Sequence, residues 1–320
     1  KTEQEIRDQY EKDWLEWRAI DGAPFEDKNA NGIYEPTIDI PGVVNADQTI
    51  WYVANDLDAQ RTTFLYGANP LGLELQVTIW DYNNDEFLNN VLFRKYMMIN
   101  KSGTTFTDVY ISLWADVDLG YAGDDLAGCD TTLNLGYVYN SQERDDVYYP
   151  GSPPALGFSL LKGAEISGSY DLPMTAHYFF WGGSQDWGDP PLGDQDGSTE
   201  FYNFMRGRNP HTGEPFINPI TGNQTSFALS GDPLTNNGWL DSFGGDRRNG
   251  IASGPFQMAV GDTQEIVIAE IAALGLDRLD SFRKLKNFTA LTKSFYDSGM
   301  SNVFLNKTPT PKAEVKSTIS

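Results

Sequence analysis

The sequence predicts a mainly β protein: an antiparallel β-sandwich core with long loops, an N-terminal helix and a C-terminal helix. Three observations carry that prediction. Apolar residues alternate with polar ones over several short runs, most clearly in Leu73–Trp80, where Leu73, Leu75, Val77 and Ile79 share one face and Glu74, Gln76, Thr78 and Trp80 the other, the pattern of a half-buried strand. Aromatic residues make up 13% of the chain, and its 31 Gly and 17 Pro fall between the apolar runs, the texture of strands joined by elaborate loops. Helical spacing is confined to the two ends.

At the N-terminus, Thr2 and Glu5 have capping-box spacing, and Ile6, Tyr10, Trp14 and Trp17 recur at helical intervals. This helix is expected to pack its tryptophans on a sheet. A Gly, Pro, Asn and Asp-rich loop follows over 21–47. Strands are then expected near Val91–Ile99, Val109–Trp114, Leu133–Tyr139, Gly157–Leu161 and Thr175–Phe180, which together read as a sandwich. Residues 182–254 form a loop-rich insertion with isolated aromatics such as Trp187 and Trp239. Thr263–Ala272 is nearly continuously apolar, as a central strand would be, and Leu279, Phe282, Leu285, Phe288, Leu291 and Phe295 mark a helix ending near Gly299. Residues 1–307 read as one large β-rich domain. Beyond them lies a Pro-containing linker at 308–312 and an alternating segment, Ala313–Ser320, suited to an extended strand.

With 45 acidic against 23 basic residues, the net charge of −22 opposes binding to a phosphate backbone, which argues against a nucleic-acid partner. No apolar run approaches the roughly 20 residues that span a bilayer. The chain opens on Lys1 without an apolar signal core and reads as a processed product. Its lone cysteine, Cys129, excludes an intramolecular disulfide and any multi-cysteine metal site.

The clearest site signal is Asp27-Lys-Asn-Ala-Asn-Gly-Ile-Tyr-Glu35. Oxygen-bearing side chains at Asp27, Asn29 and Asn31, a glycine at Gly32 and a carbonyl at Ile33 match the first half of a calcium loop of the EF-hand type. The twelfth position is Ile38 instead of glutamate, so the closing carboxylate would be Glu35, Asp39 or Asp21. The competing reading is an Asx-rich turn held by its own side chains. A second cluster, Asp116, Asp118, Asp124, Asp125 and Asp130, begins where a strand ends and suits an oxygen-liganded cation such as calcium, with a solvated acidic loop as the alternative. No catalytic motif is found. There are two histidines, His177 and His211, no G-x-S-x-G elbow, and Cys129 lies among carboxylates that disfavour a thiolate. Trp181, Trp187 and Trp239 are candidates for stacking on surface glycans, or for pinning the loops that carry them.

Several segments together carry a resemblance: Gly22–Pro36; Ala115-Asp-Val-Asp-Leu-Gly120 with Gly128-Cys-Asp130 and Leu135-Gly-Tyr137; Ser230-Gly-Asp-Pro233 with Gly238-Trp-Leu-Asp241; and Gly254-Pro-Phe256 with Gly261-Asp-Thr-Gln-Glu265. Across residues 21–296 the chain resembles large secreted proteins of Bacteroidota and Ignavibacteria, which commonly carry a C-terminal sorting domain for type IX secretion. The resemblance implies export to the cell surface or medium and no particular activity; no such sorting domain is read in this chain. The combined expectation is a non-enzymatic, extracellular, calcium-binding structural or adhesive protein. It would self-associate through sheet edges or its C-terminal strand, as a surface or filament subunit does, with a carbohydrate-binding or glycan-degrading protein as the alternative.

Overall fold

The computed structural model describes residues 1–83, 87–145, 151–166, 170–182, 184 and 187–300. The expected linker and C-terminal strand at 308–320 lie outside the described residues. The chain begins with helix α1, Glu3–Leu15, followed by strand β1, Gln48–Asn55, a short helix α2, Ala59–Tyr66, and strands β2, Leu73–Asp81, and β3, Val91–Asn100. Then come β4, Phe106–Asp116; β5, Asp125–Asp130; β6, Leu135–Asn140; β7, Ala155–Lys162; and β8, Ala176–Phe180. Helix α3, Gln195–Met205, leads to β9, Arg248–Met258, β10, Thr263–Ala273, and helix α4, Arg278–Asp297.

Seven strands form one antiparallel sheet in the order β1-β2-β3-β10-β7-β6-β5, and three form another in the order β8-β9-β4. The expected sandwich is present, and β10 is central as its apolar run requires. Alternate residues of β10 serve different layers. Val267, Ala269 and Ile271 join Phe282, Leu285 and Phe295 of α4, while Ile266 and Ile268 meet Ile251, Phe256 and Met258 of β9. On the far side of the small sheet, Phe204 of α3 stacks on Tyr178 and Phe180 of β8, at 5.1 and 5.5 Å between ring centroids. The result is four layers: helix, large sheet, small sheet, helix.

Four local expectations are corrected. Strand β2 is not half-buried along its length, because Val77, Thr78 and Trp80 are all buried and Trp80 stacks on Phe93 beneath the α4 side. Helix α3 lies inside the presumed loop region 182–254. So does the start of β9, whose Gly250, Ser253, Gly254 and Pro255 hide a strand from any propensity argument. Gly250 is required by packing, since a Cβ there would lie 2.2 Å from the Tyr178 ring. Finally, α1 has its capping box but buries none of its residues. Trp14 of the helix and Trp17 just beyond its end are met by a loop instead of a sheet: Trp14 Nε1 donates to the Pro36 carbonyl (2.9 Å) and Trp17 Nε1 to that of Pro24 (2.8 Å).

The two edges of the large sheet are treated differently. Strand β5 is covered by the 228–247 loop: the Cys129 amide donates to the Leu229 carbonyl, and the Gly245 amide to that of Asp125. A buried ion pair locks this cover. Arg247 grips Asp241 through two hydrogen bonds of 2.8 and 3.1 Å, lies over the Trp181 ring at 4.5 Å, and Asp241 also accepts from the Ala127 amide. Removing one partner strands the other charge in a dry site. The Asp241→Ala variant is therefore expected to lose about 3–5 kcal/mol of unfolding free energy in urea titrations, and a loss below about 1 kcal/mol would contradict the clamp.

Candidate cation sites

In the 27–39 loop, backbone amides and side-chain oxygens are arranged around Asp27. Its Oδ2 accepts from the Gly32 amide (2.6 Å) and its Oδ1 from the Asn31 amide (3.2 Å). These bonds, led by that from Gly32, hold the Asp27 carboxyl below its ordinary pKa. Gly32 sits at φ 74°, the left-handed conformation that the sharp turn requires. Asn29 Oδ1 accepts from the Asn31 amide and Asn31 Oδ1 from the Ile33 amide, while both side-chain NH2 groups donate to Glu35 Oε2, at 2.8 and 2.7 Å.

The three candidates for the closing carboxylate separate clearly. Glu35 converges with Asp27, Asn29 and Asn31 on one exposed turn. Asp39 is buried and spends its two oxygens on the Lys28 and Glu35 amides, closing the loop's base. Asp21 instead pairs with Arg18 at 2.6 Å. Asp27, Asn29, Asn31 and Glu35 thus meet on one turn that their own hydrogen bonds close, as in the Asx-turn reading: the Asn oxygens face backbone amides and the Asn nitrogens face Glu35, so a hard cation there would have to use the remaining lone pairs.

The second cluster divides into three. Asp116, at the end of β4, and Asp118 bring carboxylate oxygens within 4.8 Å of Asp246, which precedes β9. Arg248 stands among them, with Nε 3.2 Å from Asp116 and 3.5 Å from Asp189, and Nη1 2.8 Å from Asp246. Three carboxylates, those of Asp116, Asp189 and Asp246, therefore share one guanidinium. Partial burial, aided by the charges of Asp246 and Asp118, raises the Asp116 pKa despite Arg248.

Deeper in the same rim lies Asp125, the first residue of β5, which is fully buried. Its Oδ2 accepts a long bond from the Leu119 amide (3.3 Å), and its Oδ1 is without a hydrogen-bond partner. Burial pushes its pKa up to about 8, and the charges of Asp124, Asp118 and Asp145 push the same way. Asp124, also raised by burial and by Asp145, accepts from Asn140 Nδ2 (2.8 Å). Asp130 does not join this group. It sits at the opposite end of β5, where Lys286 of α4 (2.9 Å) and the Thr132 hydroxyl (2.6 Å) bind it and outweigh burial to lower its pKa.

Asp145, Asp189, Asp246 and Arg248 were not indicated by the sequence. Only the pairing of β4 with β9, Asp116 opposite Arg248, brings these residues of distant sequence together. The remaining candidates have structural places. His177 is fully buried, with Nδ1 at 2.6 Å from the Ala228 carbonyl and Nε2 facing the Asn249 side chain, and burial lowers its pKa to about 4. Cys129 is buried and its thiol pKa is raised by that burial and by Asp130. Trp181 and Trp187 stack on Phe179 at 5.6 and 4.8 Å, and Trp239 packs against the same cluster, so these rings pin their loops to the fold. No protein-family model matches the chain, and no curated protein matches it.

The position of Asp125 gives a pH dependence with a definite sign. Its carboxyl loses a proton at the ordinary 3.8 in the unfolded chain and at about 8 in the fold, so its stabilising contribution is complete below the lower value and lost as pH rises through the upper one. With divalent cations chelated, stability from urea unfolding should fall by about 1–2 kcal/mol between about pH 6.5 and 8. The Asp125→Asn variant should abolish that slope. An equal slope in both proteins would exclude Asp125 as its source.

Proposed function

We propose that the chain is a non-enzymatic extracellular structural or adhesive module whose loops are clamped by calcium and which self-associates through its C-terminal segment. The observation that carries the calcium reading is the convergence of Asp27, Asn29, Asn31 and Glu35 on a turn that also anchors α1. The loop holding these oxygens accepts from Trp14 at Pro36 and from Trp17 at Pro24, and Tyr34 returns a hydrogen bond from its hydroxyl to the Trp14 carbonyl (2.7 Å). An ion drawing the four side chains together therefore stiffens the attachment of a helix that has no buried residue of its own.

The Asp116, Asp118 and Asp246 rim is the second calcium candidate, with Arg248 as the competing cation. An oxygen-only donor set without histidine or cysteine matches calcium better than zinc. Extracellular placement is supported by the resemblance to secreted proteins. Self-association is supported by the alternating Ala313–Ser320 segment behind a linker stiffened by Pro309 and Pro311. Carbohydrate recognition by the 182–254 region has less support, because Trp181 and Trp187 are stacked inside the fold.

Two experiments test this reading. Calorimetric titration should give calcium binding that survives excess magnesium and a higher melting temperature with calcium, and Asp27→Ala with Asn31→Ala should lose the corresponding site. Absence of calcium-dependent heat and of any melting shift would reject the clamp. In electron micrographs, deletion of Pro309–Ser320 should remove assemblies formed by the full chain; unchanged assemblies would reject the tail's role.

A further inference from the structure

The free edge of the large sheet lacks the protections that soluble proteins place there. Among the described residues, no hydrogen bond reaches the outward peptide groups of Thr49–Ala54, and that stretch, Thr-Ile-Trp-Tyr-Val-Ala, contains neither a charge nor a proline. Ile50, Tyr52 and Val53 are 50%, 45% and 43% exposed. The opposite edge, β5, is covered by a loop, so the bare edge at β1 is particular to this side of the fold. Facing it stands α1. Tyr10, Trp14 and Trp17 form one wall, and Thr49, Ile50 and Trp51 the other, of a groove of about 690 Å³.

Charge and position identify the occupant. Residues 301–320 hold Lys307, Lys312 and Lys316 against Glu314, a net +2 in a chain of −22. The groove carries Asp13, Glu16 and Asp47 against Arg18. Ala313, Val315, Ser317 and Ile319 alternate with Glu314, Lys316, Thr318 and Ser320, the sequence pattern of a strand with one less polar face. Met300 touches Tyr82, with Sδ 3.7 Å from the hydroxyl, one residue past Asp81, and Asp81 pairs with Gln48 at the start of β1. Met300, the last described residue, therefore lies at the corner from which β1 departs. A segment running outward from that corner lies parallel to β1, whereas the ladders within both sheets are antiparallel. A segment that continues directly outward from that corner is therefore not its antiparallel partner, whereas the same segment of a second copy can approach the edge in either direction.

We propose that the β1 edge and the facing wall of α1 are the acceptor groove for Ala313–Ser320 of a second copy of this chain, added as an antiparallel strand. This inference rests on the self-assembly reading above and names its acceptor. The contact is heterologous, donor segment to acceptor edge, so it propagates into a filament or closes into a ring.

The test uses full-length variants. An acceptor variant, Ile50→Lys with Tyr52→Lys, changes exposed side chains, and a donor variant, Val315→Asp with Ile319→Asp, breaks the alternation; circular dichroism and melting confirm that both fold. Each alone should weaken assembly by about tenfold or more in light scattering, and mixing the two should give 1:1 dimers, since one donor and one acceptor remain intact. Oxidising a mixture of Tyr52→Cys and Val315→Cys copies should yield a covalent heterodimer. If the donor variant is monomeric while the acceptor variant assembles like the wild type, self-assembly by the tail stands and β1 is not its acceptor. If the wild type is monomeric and the chain carrying both cysteines closes on itself, the groove holds its own segment and the second-copy proposal is overturned. If wild-type assemblies persist in both variants, the tail-driven reading fails, and the acceptor with it.

Discussion

Strand β10 is buried on both faces, and the other layers take their places from that constraint. Val267, Ala269 and Ile271 need an apolar cover, which α4 supplies through Phe282, Leu285 and Phe295. Ile266 and Ile268 need another, which the small sheet supplies through Ile251, Phe256 and Met258. At roughly 25 cal/mol per Å2 of apolar surface, such two-sided burial outweighs any single polar contact in the molecule. It also fades toward the sheet's ends. Beyond β2 neither cover extends fully, which leaves Ile50, Tyr52 and Val53 of β1 exposed and α1 without a buried residue, tied to the loop at Tyr34 and Pro36 by hydrogen bonds of Trp14.

The same layering decides where charge can go. The two sheets use their interiors for apolar residues, so the acids collect on turns, and a net charge of −22 leaves few cations to meet them. Those cations occupy the critical positions: Arg247 on Asp241, Arg248 among Asp116, Asp189 and Asp246, and Lys286 on Asp130. Asp125 has no such partner, and its pKa near 8 reflects burial among like charges. A divalent cation is the natural counter-charge for the acidic turns that arginine and lysine do not serve.

Legibility followed sequence range. Strand β10 and helix α4 were readable because their periodicity is strong and local, and the capping box of α1 is a four-residue signal. Strand β9 was not, because Gly250 and Gly254 answer to neighbouring rings, Gly250 to Tyr178, and not to any strand propensity. The 27–39 loop was legible as a ligand set within one turn, but the separate roles of Glu35 and Asp39 needed the fold. The rim was half legible. Asp116 and Asp118 were indicated by their position after a strand, whereas Asp246 and Arg248 arrive through the pairing of β4 with β9. Asp130 was grouped with them by proximity in sequence, yet the length of β5 carries it to the far end of the sheet beside Lys286.

In the proposed reading calcium acts on shape: it would fix the loop that holds α1 opposite the β1 edge, and so set the width of the groove between them. Hydrogen–deuterium exchange of the full chain with and without calcium reads that link directly. Calcium should slow exchange at the amides of 27–39 and, with them, at the C-terminal turn of α1, while β10 and α4 remain unchanged. Equal exchange across 27–39 in both conditions, or protection that appears only outside this loop and α1, would contradict it.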